Sequence, residues 1–282
     1  MKTIKYNNKS YYIFENIEEF KKHLDKLKIT RTINRLQVHH TALPNYDNWK
    51  TDNMERRLKG MVDFHKKTFN TNDMAQQYTI FPNGMIATGR DINSTPIGIK
   101  GWNTNAICCE IYGGFDSDKM NKDQEAAVIA FYGLWCKKLK LSPSENTIRY
   151  HAWLTASGTY LGDYVKGKSS KTCPGLKFFG GNTMKSFKSN FLPKVKEYIN
   201  EKGSNETTNT VTKTEWKNGD YNAKVRATAN LNLREGRGTG YKVIKTIPKG
   251  TVFEVGYVNN NWGSTWDFGK VGYFSCDYIE KV

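Results

Sequence analysis

Three side chains with metal-ligating chemistry stand out in the sequence, namely His39, His151 and Cys173. Imidazole and thiolate groups are common zinc ligands, and a catalytic zinc site uses three protein ligands with a fourth position open to water or substrate. Each residue ends or follows a stretch with strand character, where an α/β scaffold displays functional groups. With five histidines and five cysteines in the chain, some set of two histidines and one cysteine is expected by chance. Residue type alone therefore does not distinguish metal ligands from residues with a structural role.

A single carboxylate, Glu110, interrupts the apolar run AICCEIYG. An unpaired carboxylate buried in a strand is costly, because ionised groups lose their hydration there. A carboxylate held beside a metal is suited to act as a general base. The position of Glu110 therefore predicts either proton transfer or a buried ion pair.

Helical and strand patterns alternate around these residues. Asn16 and Glu19 have the spacing of an N-cap and its capping box, and Pro193 is compatible with a first helical turn or a kink. The predicted elements, in order, are a helix from Asn16 to Lys28, a strand RLQVHH, a helix from Thr51 to Thr68, a hairpin around Asn83 and Gly84, a strand AICCEIYG, a helix from Lys122 to Lys140, a strand TIRYH and a helix within Met184 to Asn200. This order predicts an α/β fold, with a mixed central sheet flanked by helices.

One further histidine, His65, lies on the apolar stripe of the second predicted helix. It shares that face with Leu58, Met61 and Val62, which recur at helical spacing. Such a stripe packs against a core, so the pattern favours a packed His65 over a metal ligand.

The chain changes character after residue 200. Residues 201–219 are polar and rich in Thr, Asn and Gly, which is typical of an interdomain linker. Residues 220–282 contain short β-rich runs separated by Gly, Asn and Pro-Lys-Gly turns, a pattern that predicts a small all-β barrel. We therefore predict a catalytic domain in 1–200, a linker in 201–219 and a second domain in 220–282.

A formal net charge of +16 favours an anionic polymer as the partner of the chain. Nucleic acid, acidic lipid and an anionic bacterial wall all fit this charge, and a lysine-rich soluble surface fits it equally well. The sequence contains no recognisable basic recognition helix or aromatic RNA-binding signature. Nucleic acid is therefore not expected as the partner.

The five cysteines, two of them adjacent, do not form the pattern of a disulfide framework. The first twenty residues contain no apolar signal-peptide core, and no run of about 18 apolar residues predicts a transmembrane helix. We therefore expect synthesis in the cytoplasm without a signal peptide.

Four segments together resemble one enzyme family. VHHTALP, CCEIYGG, YHAW and KTCPG occur in that order, and the chain between about residues 30 and 200 resembles the type-2 N-acetylmuramoyl-L-alanine amidases, which are related to peptidoglycan recognition proteins. The resemblance implies a zinc-dependent hydrolase that cleaves the amide between N-acetylmuramic acid and L-alanine in peptidoglycan.

The resemblance also implies roles for individual residues. The first histidine of the HH pair, His39, is the implied ligand together with His151 and Cys173, while Glu110 is the implied catalytic glutamate. Lys171 matches a cation that stabilises the oxyanion; a solvated basic loop is its structural alternative. His40 points to the opposite strand face and is expected in the core with Leu36 and Val38.

Two departures from the family pattern are visible. Gln76 stands where some members have a tyrosine, which places more weight on Glu110 and makes Tyr78 a doubtful participant. His151 and Cys173 are 22 residues apart, more than is usual in the family, so residues 152–170 are expected to form an inserted loop that lines the groove.

The C-terminal region resembles a bacterial SH3-like domain through NLREGRGTGYKVIKTIPKGTVFEV. This resemblance implies binding to the cell wall. Tyr257, Trp262, Trp266 and Tyr273 are candidates for an aromatic groove, although aromatic residues also fill small barrels.

The combined interpretation is a phage or prophage endolysin that acts on the bacterial wall after its release from the cytoplasm. A bacterial autolysin with the same activity and a non-catalytic peptidoglycan-binding protein are the alternatives. The oligomeric state is left open by the sequence.

Overall fold

The computed structural model describes residues 1–49, 54–204, 216–238 and 241–282 of the chain. The chain divides into two compact units, Met1–Thr207 and Thr208–Val282. Residues 205–215 of the predicted linker and the first three residues of the helix predicted from Thr51 lie outside the described residues. The linker therefore stays a prediction.

The first unit is built around a mixed sheet of seven strands. These are β1 (Lys2–Tyr6), β2 (Lys9–Phe14), β3 (Arg35–His40), β4 (Tyr78–Ile80), β5 (Ile86–Thr88), β6 (Ala106–Ile111) and β7 (Ile148–Tyr150). Their order across the sheet is β1-β2-β5-β4-β6-β3-β7. Pairing is parallel between β4, β6, β3 and β7 and antiparallel between β1, β2, β5 and β4. The predicted mixed sheet is confirmed.

Helices cover both faces of this sheet. They are α1 (Ile17–Lys26), α2 (Met54–Phe69), α3 (Lys122–Leu139), α4 (Met184–Ser186) and α5 (Leu192–Ser204), with a π-helical segment at Phe187–Phe191. One core cluster includes buried residues of α1, α3 and α5, and another includes buried residues of α2. The amide of Glu19 donates to the Asn16 side chain at 3.0 Å, as the cap predicted. Pro193 lies just after the π-helical segment within a continuous helical run, so its missing N–H falls at an irregular part of the helix rather than at a free helix start.

The hairpin of β1 and β2 is an element that the sequence interpretation missed. Asn7 and Asn8 connect the two strands, and both have positive φ, at 50° and 60°. Two such residues form the tight turn whose twist matches paired strands, and asparagine tolerates this conformation. The turn signal was therefore present in the sequence.

Strand register decides which side chains face the candidate site. In the parallel pair β3/β6, His39 lies directly opposite Glu110 and Val38 opposite Cys109. Neighbouring residues of a strand point to opposite faces, so His39 and Glu110 share one face. Val38 and Cys109 occupy the core on the other.

The second unit contains a separate sheet of seven antiparallel strands. They are β8 (Gly219–Ala227), β9 (Leu231–Arg234), β10 (Val243–Ile247), β11 (Val252–Asn259), β12 (Trp262–Thr265), β13 (Gly272–Ser275) and β14 (Ile279–Lys281). Their order is β10-β9-β13-β12-β11-β8-β14. Buried Val225, Leu233, Val255 and Phe274 belong to its own core. The region is all-β, as predicted.

All five cysteines are free and buried, in agreement with the absence of a disulfide framework. Among the described residues, no helix combines the length and the apolar character needed to cross a membrane.

Candidate metal centre

The fold brings together the three candidate ligands that are far apart in sequence. His39 is in β3, His151 follows β7 at the start of a short 3₁₀ turn, and Cys173 lies in the loop before Gly175. One ligand atom from each of the three lies within 4.8 Å of the others. The rings of His39 and His151 have centroids 4.9 Å apart.

The distance between two of these donors matches that expected around a tetrahedral zinc ion. Zinc–nitrogen and zinc–sulfur bonds of about 2.0–2.1 and 2.3 Å in tetrahedral geometry place a nitrogen and a sulfur ligand about 3.6 Å apart. His39 Nδ1 and Cys173 Sγ are 3.6 Å apart. Two imidazoles and one thiolate leave a fourth position for water or substrate, as in catalytic zinc sites.

Gln37 selects the ring nitrogen of His39 that faces the cluster. Its Oε1 lies 3.3 Å from His39 Nε2, while its Nε2 donates to the Trp102 carbonyl at 3.0 Å. These contacts suit a proton on His39 Nε2 and a lone pair on Nδ1, because the amide oxygen accepts. Such a partner fixes the tautomer of a ligating histidine. The sequence interpretation missed Gln37, although it stands two residues before His39 on the same strand face.

Burial favours the neutral forms of the two imidazoles and the thiol in the metal-free protein. It holds the pKa of His39 well below its usual value, and burial together with Lys171 lowers the pKa of His151 to about 4. Desolvation raises the pKa of Cys173 to about 12. At neutral pH both imidazoles therefore offer lone pairs, whereas the thiol must lose its proton when a metal binds.

Glu110 lies on the cavity wall beside the cluster. Desolvation raises the pKa of its carboxyl to about 7, and the positive charge of Lys171 acts in the opposite direction. A carboxyl with a pKa near neutrality can both accept and return a proton. Among the described residues, Glu110 has no ion-pair partner in contact, so the alternative of a paired structural carboxylate lacks support.

Lys171 is exposed and lines the same cavity as the three candidate ligands. Its charge lowers the pKa of His39 and His151, which shows that its field reaches the cluster. A cation at this place is suited to neutralise an oxyanion that develops in the cavity.

His40 and His65 both accept hydrogen bonds from backbone amides. His40 Nδ1 accepts the Phe115 amide at 3.1 Å, and its ring stacks with the Phe115 ring. His65 Nδ1 accepts the Ala75 amide at 3.3 Å, and the residue is buried. Both agree with the predicted packing roles, although both also border the cavity.

Gln76 and Tyr78 are placed on opposite sides of the sheet. Gln76 lines the cavity, donates to Thr79 Oγ1 at 3.1 Å and leaves its own buried Oε1 without a partner. Tyr78 is buried in the core, where its ring packs against Phe131. Tyr78 therefore has no access to the cluster, and the doubt about its participation was justified.

The segment 152–170 does not line the cavity, contrary to expectation. The Ser170 amide donates to the Leu154 carbonyl at 2.9 Å, so the two ends of the segment meet. Tyr160 returns to pair with Leu154. The Tyr160 ring then lies 4.0 Å from the Arg149 guanidinium, whose other neighbour is the Trp102 ring at 4.4 Å. The loop is therefore closed at its base and held beside β7.

The cluster opens into a cavity of about 530 Å³. It contains His39, His151, Cys173, Glu110 and Lys171, which are all the site residues that the sequence indicated. The arrangement combines three candidate metal ligands, one carboxylate and one cation, a set suited to metal-assisted hydrolysis.

The family described as N-acetylmuramoyl-L-alanine amidase matches residues 29–176, just over half of the chain. The matched span contains all three ligands of the cluster. No curated protein matches the chain.

Several solved structures are similar to this chain. Drosophila PGRP-LB has 18% sequence identity and a TM-score of 0.42, with 54% of this chain and 81% of that chain covered. Drosophila PGRP-SA has 13% identity and a TM-score of 0.45, with 61% and 90% covered. The N-acetylmuramoyl-L-alanine amidase LysC from Clostridium intestinale has 20% identity and a TM-score of 0.39, with 52% and 80% covered.

Proposed function

The chain belongs to the N-acetylmuramoyl-L-alanine amidase family, and on this premise we propose that it is a zinc-dependent hydrolase of peptidoglycan. The bond cleaved is the amide between the lactyl group of N-acetylmuramic acid and the L-alanine of the stem peptide. The convergence of His39, His151 and Cys173 in a cavity with Glu110 is the observation that carries the proposal.

His39, His151 and Cys173 would hold the metal, with Nδ1 of His39 and Sγ of Cys173 as donor atoms together with an imidazole nitrogen of His151. Gln37 keeps His39 in the required tautomer. Zinc in such a site polarises a carbonyl and acidifies a water molecule. The chain itself supplies orientation and proton transfer.

Glu110 accepts the proton of the water that attacks the amide carbonyl. The carbonyl carbon gains the hydroxyl oxygen, and the C–N bond then breaks. Glu110 returns the proton to the departing nitrogen of L-alanine, which leaves as a free amine. A pKa of about 7 suits this exchange, because the carboxyl is a usable base and acid near neutral pH.

Lys171 stabilises the negative charge that develops on the carbonyl oxygen. The ammonium group is exposed, so its contribution is smaller than that of a buried donor until substrate excludes water from the cavity. Its place in the cavity wall supports this role.

Mass spectrometry of digested peptidoglycan tests the proposed reaction. The full chain should release stem peptides with a free N-terminal L-alanine and leave the glycan uncleaved, and a chelator should prevent this release. Glu110→Gln and Cys173→Ser should abolish release, while the control Glu197→Gln, at an exposed position of α5, should retain it. New reducing sugar ends, or cuts within the peptide, would contradict the proposal.

For the second unit, residues 220–282, we propose an SH3-like module that binds the cell wall. Trp266 and Tyr257 are exposed there, and the Arg237 guanidinium lies 5.4 Å from the Tyr257 ring and 4.6 Å from the Tyr273 ring. Such a cation–aromatic surface can bind peptide or glycan. Trp266→Ala in the full chain should reduce sedimentation with purified walls but leave hydrolysis of a soluble muramyl peptide unchanged; unchanged sedimentation would count against the module.

An endolysin role, with synthesis in the cytoplasm and action at the wall after release, completes the proposal. The predicted observation is that cells expressing the chain stay intact until their membrane is permeabilised and then lyse. Lysis that starts before permeabilisation would instead favour an exported autolysin.

A further inference from the structure

A second cavity of about 430 Å³ opens beside the metal centre, along one face of α2. It shares Thr41, Leu43, Phe64, His65 and Glu110 with the cavity that contains the metal ligands. The two cavities therefore form one continuous groove, and a substrate positioned at Glu110 extends naturally into the second cavity.

One row of α2 residues forms the wall of this second cavity. Arg56, Gly60 and Phe64 follow each other at intervals of four and line it together with Arg57 and Met61. Residues four apart lie on the same helix face. The row presents a cation, a gap and an aromatic ring in succession.

Gly60 is in the middle of α2, where glycine destabilises a helix relative to alanine. Packing does not require it, because a Cβ added at this position meets no atom within 4 Å. Gly60 is exposed and borders the cavity. A glycine without a steric neighbour in the protein is explained if a ligand approaches the helix backbone there.

Two large apolar side chains at the groove are exposed, Leu43 at 76% and Phe64 at 63%. The loop that carries Leu43 is nevertheless fixed. Thr41 Oγ1 donates to the Pro44 carbonyl at 2.6 Å, and the Ala42 amide donates to the Gly113 carbonyl at 3.0 Å. Exposed apolar side chains on an ordered loop beside a cavity mark a binding surface.

The charge of the cavity indicates the class of ligand. Arg56 is exposed and, within the described part of the chain, has no carboxylate in ion-pair contact. Arg57 donates through Nη2 to the Asn48 carbonyl and has a buried Nε without a partner. Two guanidiniums beside an apolar surface fit a peptide that carries a free carboxylate, since arginine recognises carboxylates through paired hydrogen bonds. A neutral sugar would leave this charge unmatched.

We propose that Arg56 and Arg57, on this face of α2, select stem peptides whose residue after L-alanine has a free carboxylate over peptides in which that carboxylate is amidated. Leu43 and Phe64 contact the apolar part of the same peptide. The proposal rests on the proposed amidase function, because that function places the scissile amide at Glu110.

Two soluble muramyl tripeptides test the selection. In N-acetylmuramyl-L-alanyl-γ-D-glutamyl-L-lysine the second residue has a free α-carboxylate, and in N-acetylmuramyl-L-alanyl-D-isoglutaminyl-L-lysine an amide takes its place. The full chain should have a kcat/KM about tenfold to a hundredfold higher for the carboxylate. Arg56→Gln combined with Arg57→Gln should bring the ratio close to one. Lys59→Gln combined with Lys67→Gln removes the same number of charges from α2 outside the cavity, and it should keep the wild-type ratio. A ratio near one in the wild type, or a ratio that survives the double substitution, overturns the proposal.

Gly60 provides a second test that does not remove charge. Gly60→Leu should raise KM for both substrates while the thermal midpoint Tm stays at or above that of the wild type, because leucine favours helices. Gly60→Ala should raise Tm with a smaller change in KM. Unchanged KM for Gly60→Leu would show that no ligand uses this gap.

A binding measurement separates this proposal from the proposed reaction. Calorimetric titration of Glu110→Gln protein with the same two muramyl tripeptides reports recognition without hydrolysis. Preference for the carboxylate that depends on Arg56 and Arg57 supports the subsite even if the chain proves not to be an amidase. Hydrolysis without any such preference refutes the subsite and leaves the amidase function intact.

Discussion

Glu110→Gln should remove activity and also stabilise the metal-free protein at alkaline pH. Glu110 loses much of its hydration in the cavity wall, which raises the pKa of its carboxyl from 4.5 to about 7 despite the nearby charge of Lys171. Glutamine has nearly the same shape and cannot ionise. The substitution therefore removes the proposed general base and a poorly solvated charge together.

The sign and size of the stability effect follow from the pKa. The folded protein holds the Glu110 proton more tightly than the unfolded chain does, so stability falls as pH rises from about 4.5 to about 7. At about 1.4 kcal/mol per pKa unit, the whole difference is about 3 kcal/mol. Because the carboxyl retains some contact with solvent, we expect about 1–2 kcal/mol. Glu110→Gln and wild type should be equally stable at about pH 4 and differ by this amount at about pH 8.5.

Urea denaturation of chelator-treated full chain measures this difference at the two pH values. The transition of the first unit is identified by its shift when zinc is added. Comparing the variants cancels the titration of all other groups, and Glu197→Gln serves as the control for loss of an exposed carboxylate. The reasoning would be refuted if Glu110→Gln were more stable than wild type by the same amount at both pH values. It would also be refuted if the variant were less stable at alkaline pH, because a partner would then be stabilising the Glu110 charge.

Three further predictions concern the same cavity. Zinc binding at about pH 8.5 should release about one proton more from the wild type than from Cys173→Ser, because the Cys173 thiol loses its proton while the imidazoles are already neutral. A zinc-bound water would contribute to both proteins, and calorimetric enthalpies in buffers of different ionisation heat count the protons. Gly98→Ala places a Cβ 2.0 Å from Gln37 Oε1, so displacement of that amide should weaken zinc affinity by about tenfold to a hundredfold in a chelator competition. Lys171→Gln should lower kcat by about tenfold to a hundredfold with little change in KM, whereas the exposed neighbour Lys168→Gln should leave both constants unchanged in steady-state kinetics.

The sequence predicted the residues of the site better than their environment. Helical and strand periodicity located β3, β6 and β7, and family resemblance selected His39 instead of His40. His39 lies opposite Glu110 because of the pairing register of two strands about 70 residues apart. Local periodicity in the sequence carries no information about that register. The orientation of His39 by Gln37 requires the same long-range information.

Two other features of the structure have a local signal in the sequence that would have predicted them. Asn7 and Asn8 have the turn chemistry of a hairpin, and Gly60 interrupts a helical pattern without any turn signal around it. The closed base of the 152–170 segment was not predictable from spacing, because only the folded chain shows that Leu154 and Ser170 meet.

This closed base also has a practical consequence for protein engineering. The Ser170 amide donates to the Leu154 carbonyl at 2.9 Å, so the two ends of the loop are held together. A change in the loop between them is therefore not passed on to the segments that carry His151 and Cys173. Exposed residues between the two ends, such as Lys166 and Gly167, can then be replaced by longer or shorter segments without changing the separation of His151 and Cys173. The loop is thus a natural place to insert an affinity tag or a second binding peptide, and natural variation in its length is compatible with an unchanged metal centre.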